Sequence, residues 1–192
     1  MRYRKLGKTD LDVSILGFGA MRLPMVGNPG GLAGFDPKIP IDEEHADRMV
    51  RHALDEGVNY FDTAYGYHGG QSERYIGKVL RPVRTKVMIA TKLPVWNIEK
   101  REDFDRVFEE QLAKLQTDYL DVYLIHSLNR PFWDKMKGLG VLEFLDRLKA
   151  EGRIRAAGFS FHDEIKVFKS IIDAHDWDVC QIQYNFYDRA YQ

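Results

Sequence analysis

The sequence predicts an α/β fold of the (β/α)8 TIM-barrel type, truncated after about six strands and preceded by an N-terminal β-hairpin. Short apolar segments alternate with amphipathic helical segments along the chain, which is typical of repeated βαβ units and a parallel sheet. Polar residues end strand after strand, at Asp62, Lys92, His126 and Ser160. Because a barrel gathers its strand ends around one mouth and an open sheet spreads them along an edge, this pattern favours the barrel.

A doubly wound dinucleotide-binding sheet is the main alternative, and the first glycine-rich turn argues against it. The turn at residues 17–22 (GFGAMR) lacks the third glycine of the dinucleotide fingerprint, and the next helical segment begins only after Asp42. A Rossmann turn needs a helix N-terminus directly after it, because that terminus meets the pyrophosphate.

The length limits how much of a barrel the chain can form. An eight-stranded barrel typically takes roughly 250 residues, whereas this chain has 192. We therefore expect one incomplete (β/α) barrel domain over residues 1–192, from a truncated product or a gene fragment. Such a sheet would have two exposed edges, through which the chain could self-associate.

The N-terminal part is predicted to hold a hairpin, a strand and a long loop. Residues 3–6 and 11–14 form the hairpin strands around the Gly7-Lys8-Thr9-Asp10 turn. Residues 15–19 (ILGFG) form a brief buried strand that ends in a turn. Residues 23–40 are rich in glycine and proline and have no periodicity, so we expect an exposed loop there.

The remaining elements alternate regularly. Helical periodicity begins after Asp42 and stops at Gly57. Further helices are predicted at residues 72–80, 101–115, 141–150 and 163–174, and strands at residues 58–61, 87–90, 120–125, 154–159 and 177–182. The segment that contains Phe132 and Trp133 is predicted to be a loop.

Composition excludes several classes of protein. The net charge of −1 gives no field that would favour nucleic acid or an anionic membrane. Cys180 is the only cysteine, so neither an intrachain disulfide nor a metal or iron–sulfur cluster held by cysteines is expected. No apolar run reaches the roughly 18 residues of a membrane span, and no secretory signal follows Met1. We expect a cytoplasmic protein.

Four polar groups near the strand ends suit the reduction of a carbonyl group. Tyr67 could deliver a proton to the carbonyl oxygen if its pKa, normally about 10, were lowered. Lys92 could lower that pKa by stabilising the phenolate, and Asp62 would hold Lys92 charged and aimed. His126 could donate a hydrogen bond to the substrate oxygen and fix the carbonyl close to the hydride.

The motifs around these residues resemble the aldo-keto reductase superfamily. FDTAYGY with the following GxSE, then ATK, YLIH, GFS and QxxYN occur in that family's order and spacing, and RKLGKTDLDVS with LGFGAMRLP resembles its cap and first strand. The resemblance implies an oxidoreductase that uses NADP(H), or NAD(H) instead, to reduce a small-molecule aldehyde or ketone. It also implies that Asp62, Tyr67, Lys92 and His126 form the catalytic tetrad.

The resemblance also indicates which residues would bind the cofactor. They are Gly19, Ala20, Met21, Asp62, Ser160 and Gln181. Ser160 and Gln181 match residues that hydrogen-bond the nicotinamide carboxamide. Where the family often has asparagine after this serine, the chain has Phe161 and then His162. The FSFHD segment is most similar to a prokaryotic branch whose longer members add a ferredoxin-like domain, and nothing in these 192 residues encodes such a domain.

Several of these residues have a structural alternative. Asp62 could merely cap the turn after its strand, and Lys92 could be a solvated residue at a strand end. Tyr65 competes with Tyr67 as the reactive phenol, although the spacing from Asp62 favours Tyr67. His68 is either a turn residue or a substrate contact.

Three aromatic residues also leave an alternative open, since Trp96, Phe132 and Trp133 could line a substrate pocket or pack the loops that carry them. Two rival functions remain as well. One is a catalytically impaired nucleotide-binding or assembly module of the same fold. The other is a barrel enzyme of different chemistry that uses Lys92 as a Schiff-base amine.

Overall fold

The strands of the protein form two sheets. The computed structural model describes residues 1–27 and 36–187. A small antiparallel hairpin joins β1 (Tyr3–Lys5) to β2 (Asp12–Ser14). Within the described residues, the larger sheet has six parallel strands whose spatial order follows the chain: β3 (Phe18–Gly19), β4 (Tyr60–Asp62), β5 (Met88–Leu93), β6 (Leu120–Leu128), β7 (Ile154–Phe161) and β8 (Val179–Gln181).

Parallel strands need crossover connections, and each connection between successive strands of the larger sheet contains at least one helix. The helices are α1 (Glu43–Asp55), α2 (Gln71–Leu80), α3 (Glu102–Leu115), α4 (Arg130–Gly138), α5 (Val141–Ala150) and α6 (Ile165–Ile172). The predicted barrel-type α/β sheet of about six strands with an N-terminal hairpin is confirmed. No helix in the described part of the chain has both the length and the apolar character that crossing a membrane requires.

Side-chain caps fix where two of the helices begin. Asp42 accepts a hydrogen bond from the backbone N–H of His45 at 3.1 Å, and α1 starts directly after it, as the periodicity predicts. Asn129 caps α4 in the same way, and Pro131 lies in the first turn of that helix. The prediction of a loop in this segment was wrong, because the cap and the proline begin a helix that buries Trp133.

Alternation along the strands divides the apolar residues into two sets. Outward-facing side chains such as Phe61, Ile89 and Tyr123 are buried against the helices and form the main core. The inward-facing set is built from smaller residues, and Leu11 of the hairpin packs against it. Its members are Ala90, Val122, Leu124 and Ala156. The hairpin end of the interior is therefore filled with side chains, which leaves the opposite end for polar groups.

The first parallel strand is shorter and more exposed than the sequence predicts. Only Phe18 and Gly19 of residues 15–19 are in β3, and the side chains of Ile15 and Leu16 are 57% and 60% exposed. In the described sheet β3 has a single neighbour, β4, so no strand covers its other edge. The prediction of a buried strand was wrong for this reason.

Strands β5, β6 and β7 run further than predicted, whereas β8 is shorter than the strand predicted at residues 177–182. Lys92, His126 and Ser160 lie inside β5, β6 and β7 and not after them, because each strand continues to pair with its neighbour beyond its apolar run. Of the predicted loop at residues 23–40, residues 28–35 lie outside the described part of the chain.

The buried side of α6 also differs from the prediction. Ile165 and Ile172 were expected to face inward, but they are the first and last residues of the helix, and both are exposed. Val167 and Ile171 are the buried residues of α6. The helix is shorter than predicted, so its ends lie outside the packed stripe.

The close packing of α2 against the end of α3 gives a test of the fold. A β-carbon on Gly77 would lie 2.5 Å from the backbone of Leu115, whereas one on Gly138 of α4 would meet no atom within 4 Å. We expect Gly77→Ala to lower the free energy of unfolding by about 1–3 kcal/mol, because backbone cannot move aside as a side chain can.

Gly138→Ala is the matched control and should raise the free energy of unfolding by up to about 1 kcal/mol, because alanine favours the helix. Urea denaturation measures both changes. Equal stabilities of the two variants would contradict the tight contact at Gly77.

Candidate active site

The register of the sheet brings the ends of β3, β4 and β5 together. Gly19 pairs with Asp62, and Asp62 pairs with Ala90. Because side chains alternate, Lys92 faces the same side of β5 as Ala90, which belongs to the interior cluster. Asp62 and Lys92 therefore meet at the carboxyl end of the sheet, where parallel barrel strands present reactive groups.

Lys92 and Asp62 form a buried ion pair. Nζ of Lys92 donates hydrogen bonds to both carboxylate oxygens of Asp62 and to the carbonyl oxygen of Thr63, each at 2.8 Å. The Lys92 side chain is 2% exposed and that of Asp62 14%, so Lys92 is not a solvated strand-end residue.

The charge state of this pair follows from two opposing effects. Burial lowers the pKa of Lys92 and raises the pKa of Asp62, while the attraction between the two groups opposes both shifts. Three acceptors at 2.8 Å match the three N–H donors of an ammonium group. We therefore treat both groups as charged, each kept so by the other.

A tight turn after β4 carries Tyr67 and leads into α2. His68, Gly69 and Gly70 all take the left-handed conformation, with φ angles of 52°, 60° and 89°. His68 is fully buried, and its Nε2 accepts a hydrogen bond from the backbone N–H of Leu23 at 3.0 Å. Of the two alternatives for His68, these contacts favour the turn residue over the substrate contact.

The two tyrosines of this turn have different neighbours. The hydroxyl oxygen of Tyr67 lies 3.5 Å from Nζ of Lys92. The hydroxyl of Tyr65 donates a hydrogen bond to Glu110 at 3.0 Å, and Nζ of Lys114 lies 3.5 Å from the centre of its ring. The phenol beside Lys92 is therefore that of Tyr67, in agreement with the spacing from the aspartate.

The acidity of Tyr67 differs from the sequence-based expectation. Burial and, to a smaller extent, the charge of Asp62 raise the pKa of Tyr67 to about 12. The predicted pKa below 10 was wrong, because burial and the charge of Asp62 outweigh what Lys92 contributes from 3.5 Å, with its ammonium group closer to the carboxylate than to the phenol. Tyr67 consequently keeps its proton at neutral pH.

His126 on β6 faces this group from the neighbouring strand. Its ring centre lies 6.0 Å from that of Tyr67, in an edge-on arrangement, and 5.0 Å from that of Trp96. Burial and the charges of Lys92 and His162 lower the pKa of His126 to about 3. The imidazole is therefore neutral at pH 7 and has a single N–H to donate. Its Nδ1 has no hydrogen-bond partner among the described residues.

Two of the expected cofactor-binding residues lie on neighbouring strands beside the ion pair. Ser160 of β7 and Gln181 of β8 are in register, and the Gln181 side chain forms a hydrogen bond with Asp62. The hydroxyl oxygen of Ser160 accepts a hydrogen bond from the backbone N–H of Ser127 at 2.7 Å. An amide and a hydroxyl group are thus available at adjacent strand ends.

The other expected cofactor residues follow β3. A β-carbon on Gly19 would meet no atom within 4 Å, so this strand end borders open space. Ala20 is buried and its carbonyl oxygen accepts a hydrogen bond from Ser72 at 3.0 Å, whereas Met21 is largely exposed. At the other end of the strand order, the hydroxyl of Ser160 and the amide of Gln181 are hydrogen-bonding groups of the kind that a nicotinamide carboxamide requires.

Sequence reasoning missed or left open several contacts. The carbonyl of Thr63 binds Lys92 through the backbone, which no side-chain pattern reveals. Trp96 is 45% exposed beside His126, where it could line a pocket, whereas Trp133 is buried and packs on Trp177. In residues 1–27 and 36–187, no three or more His, Cys, Asp or Glu side chains are grouped as a metal ion requires.

Known proteins resemble the chain in sequence and in structure. The sequence profile described as the Aldo/keto reductase family matches residues 16–192. The chain is 33% identical to L-galactose dehydrogenase of Arabidopsis thaliana over 167 residues, which are 82% of the chain and 47% of that protein. It is 29% identical to NADH-specific methylglyoxal reductase of Escherichia coli over 209 residues, which cover 99% of the chain and 61% of that protein.

A solved structure shares the fold. The holo form of aldo-keto reductase AKR11C1 from Bacillus halodurans superposes with a TM-score of 0.78 at 30% identity, covering 96% of the chain and 58% of the solved one. The chain therefore spans about half to three fifths of the length of these relatives.

The buried ion pair predicts a large effect of removing one charge. Asp62→Asn should lower the free energy of unfolding by about 3–5 kcal/mol, because it leaves the Lys92 ammonium buried without its carboxylate. Asp12→Asn, in the exposed pair with Lys5, is the control and should lower it by less than about 1 kcal/mol. Denaturant unfolding at pH 7 measures both, and similar losses in the two variants would argue against the ion pair.

The low pKa of His126 predicts a pH dependence of stability. Between the ordinary pKa of 6.5 and the folded-state pKa of about 3, the unfolded chain binds a proton that the folded protein does not. Stability should therefore fall as the pH drops below 6.5, by up to about 1.4 kcal/mol per pH unit from this group.

His126→Gln should make this decline shallower, and denaturant unfolding between about pH 7 and 4.5 measures it. His52→Gln on the exposed side of α1 is the control, which should keep the slope of the original protein. Parallel slopes for His126→Gln and the original protein would show that His126 is not held neutral by the fold.

Proposed function

The chain belongs to the aldo/keto reductase family, and we propose on this premise that it is an NAD(P)H-dependent oxidoreductase that reduces an aldehyde or ketone. One observation carries the proposal: Nζ of Lys92 lies 2.8 Å from the Asp62 carboxylate and 3.5 Å from the hydroxyl of Tyr67. The relatives' names, a methylglyoxal reductase and a sugar dehydrogenase among them, support a small carbonyl compound as the substrate.

Tyr67 is the proposed proton donor. Reduction of a carbonyl group places negative charge on its oxygen, which must then be protonated. With a pKa of about 12, Tyr67 carries its proton at neutral pH. An alkoxide is a stronger base than this phenolate, so the proton moves towards the substrate. Lys92 at 3.5 Å stabilises the phenolate that remains.

His126 is the proposed orienting group. A neutral imidazole can donate a hydrogen bond to the carbonyl oxygen without competing with Tyr67 as the acid. Because its pKa is about 3, His126 keeps this form across the physiological pH range. Trp96 lies against the imidazole ring and limits the space in which a substrate can approach it.

A bound nicotinamide cofactor would supply the hydride. Ser160 and Gln181 would hold its carboxamide, and the open space beside Gly19 would admit it. The full set of proposed contacts is Gly19, Ala20, Met21, Asp62, Ser160 and Gln181. The choice of NADP(H) as the cofactor rests on the family resemblance. Because one relative is named as NADH-specific, NAD(H) is the other cofactor to assay.

The test of this function is the variant Tyr67→Phe. It removes the transferable proton, so kcat for reduction of methylglyoxal or glyceraldehyde should fall by about 10²–10⁴-fold while cofactor binding is retained. Tyr65→Phe is the matched control, because that phenol contacts Glu110 and not Lys92. Undiminished turnover in Tyr67→Phe, or equal losses in both variants, would defeat the role assigned to Tyr67.

The rival functions give different results in the same assays. NADPH or NADH fluorescence that changes on mixing, without oxidation by any aldehyde of a panel, would favour a nucleotide-binding module. A borohydride-stable adduct between Lys92 and a carbonyl compound would favour Schiff-base chemistry instead. The burial of Lys92 among three oxygen acceptors argues against the latter.

A further inference from the structure

Strand β6 contains an extra residue next to the proposed site. It pairs with β7 in register as far as Ile125 opposite Phe159, and pairing resumes at Leu128 opposite Phe161. Three steps along β6 thus match two along β7, which is the pattern of a β-bulge. Within the bulge, Ser127 takes the left-handed conformation with φ of 53°, which is strained for a residue other than glycine.

The bulge resolves a packing conflict. Ile125 and Leu128 are both fully buried in the main core against the helices. In a regular strand, residues three apart point to opposite faces, so both could not reach this core. The extra residue at Ser127 returns Leu128 to the helix side. His126, between them, is left facing Tyr67 and Lys92.

The direction of the His126 ring depends on this backbone. No described residue makes a hydrogen bond to its Nδ1, and its ring neighbours are the aromatic side chains of Tyr67 and Trp96. Ring packing of this kind tolerates rotation and displacement more readily than a hydrogen bond does. The conformation at His126 and Ser127 therefore decides where the imidazole N–H points.

The hydroxyl of Ser160 holds this conformation in place. This hydroxyl is buried, and its oxygen accepts a hydrogen bond from the backbone N–H of Ser127 at 2.7 Å. We propose that Ser160 is a positioning residue for His126, because it fixes the bulge at Ser127 and so aims the imidazole at the substrate oxygen. The inference rests on the proposed carbonyl reduction. It is compatible with a carboxamide contact, since a hydroxyl that accepts one hydrogen bond still has a proton to donate.

The first measurement is independent of turnover. NMR spectra of the histidine rings, with the His126 signals assigned by comparison with His126→Gln, report the surroundings of this ring in the protein without substrate. Ser160→Ala should shift and broaden the His126 signals, because the N–H of Ser127 loses its acceptor. The control is Ser170→Ala. It removes a hydroxyl that donates a hydrogen bond to the carbonyl oxygen of Val167 within α6 and not to the bulge, so it should leave the His126 signals unchanged.

Steady-state kinetics, with Ser127→Gly as a second substitution, separate a role of Ser160 in positioning His126 from a role in cofactor binding. Ser160→Ala should lower kcat by about 10- to 100-fold and change the KM for the cofactor less. Ser127→Gly in the Ser160→Ala background should recover the His126 signals and part of kcat, because glycine adopts positive φ without strain. If Ser160 acts only on the carboxamide, the KM for the cofactor rises and Ser127→Gly restores nothing.

Unchanged His126 signals in Ser160→Ala would overturn the inference, and so would a double variant that recovers neither the signals nor kcat. Absence of turnover in the unsubstituted protein would defeat the proposed reduction, and the NMR comparison would still decide the role of Ser160. Thermal unfolding shows which variants are folded. Ser160→Cys, whose somewhat larger thiol fills the site but accepts hydrogen bonds weakly, replaces the alanine variant if that one does not fold.

Discussion

The buried ammonium group of Lys92 is the constraint on which the rest of the site depends. Removing such a charge from water costs several kcal/mol unless it is paired and hydrogen-bonded. The register of β4 and β5 meets this requirement with Asp62, and the backbone of Thr63 completes the set of acceptors. Because these groups come from separate elements, the fold as a whole is needed to assemble them. The hydroxyl of Tyr67 also lies within 3.5 Å of the anchored ammonium group.

Local periodicity was enough to predict the alternation of strands and helices and the polar residues at the strand ends. Asp62, Lys92 and His126 lie on three successive strands, so a parallel sheet in chain order brings them together. The ends of the elements could not be predicted, since β6 continues past His126 for as long as β7 pairs with it. Helix α4 was missed although Asn129 and Pro131 signal its start.

Properties that depend on distances and burial in the folded protein could not be predicted from the sequence. Lys92 was expected to lower the pKa of Tyr67, but burial raises that pKa. The ammonium group of Lys92 is also closer to the carboxylate of Asp62 than to the phenol. The bulge in β6 has the same origin. Ile125 and Leu128 each fit an ordinary apolar pattern, and their conflict arises only when both must reach one core. Packing in three dimensions therefore set both the electrostatics of the site and the direction of His126.

The turn before α2 tolerates few substitutions, because three consecutive residues in it take the left-handed conformation. At His68, Gly69 and Gly70 a side chain in this conformation costs roughly 1–2 kcal/mol, and His68 is also locked to the N-terminal segment by its hydrogen bond to Leu23. Mutations at these codons would lower the amount of folded protein before they altered any chemistry. Purifying selection for folded protein would therefore preserve the surroundings of Tyr67 independently of any selection on the chemistry of the site.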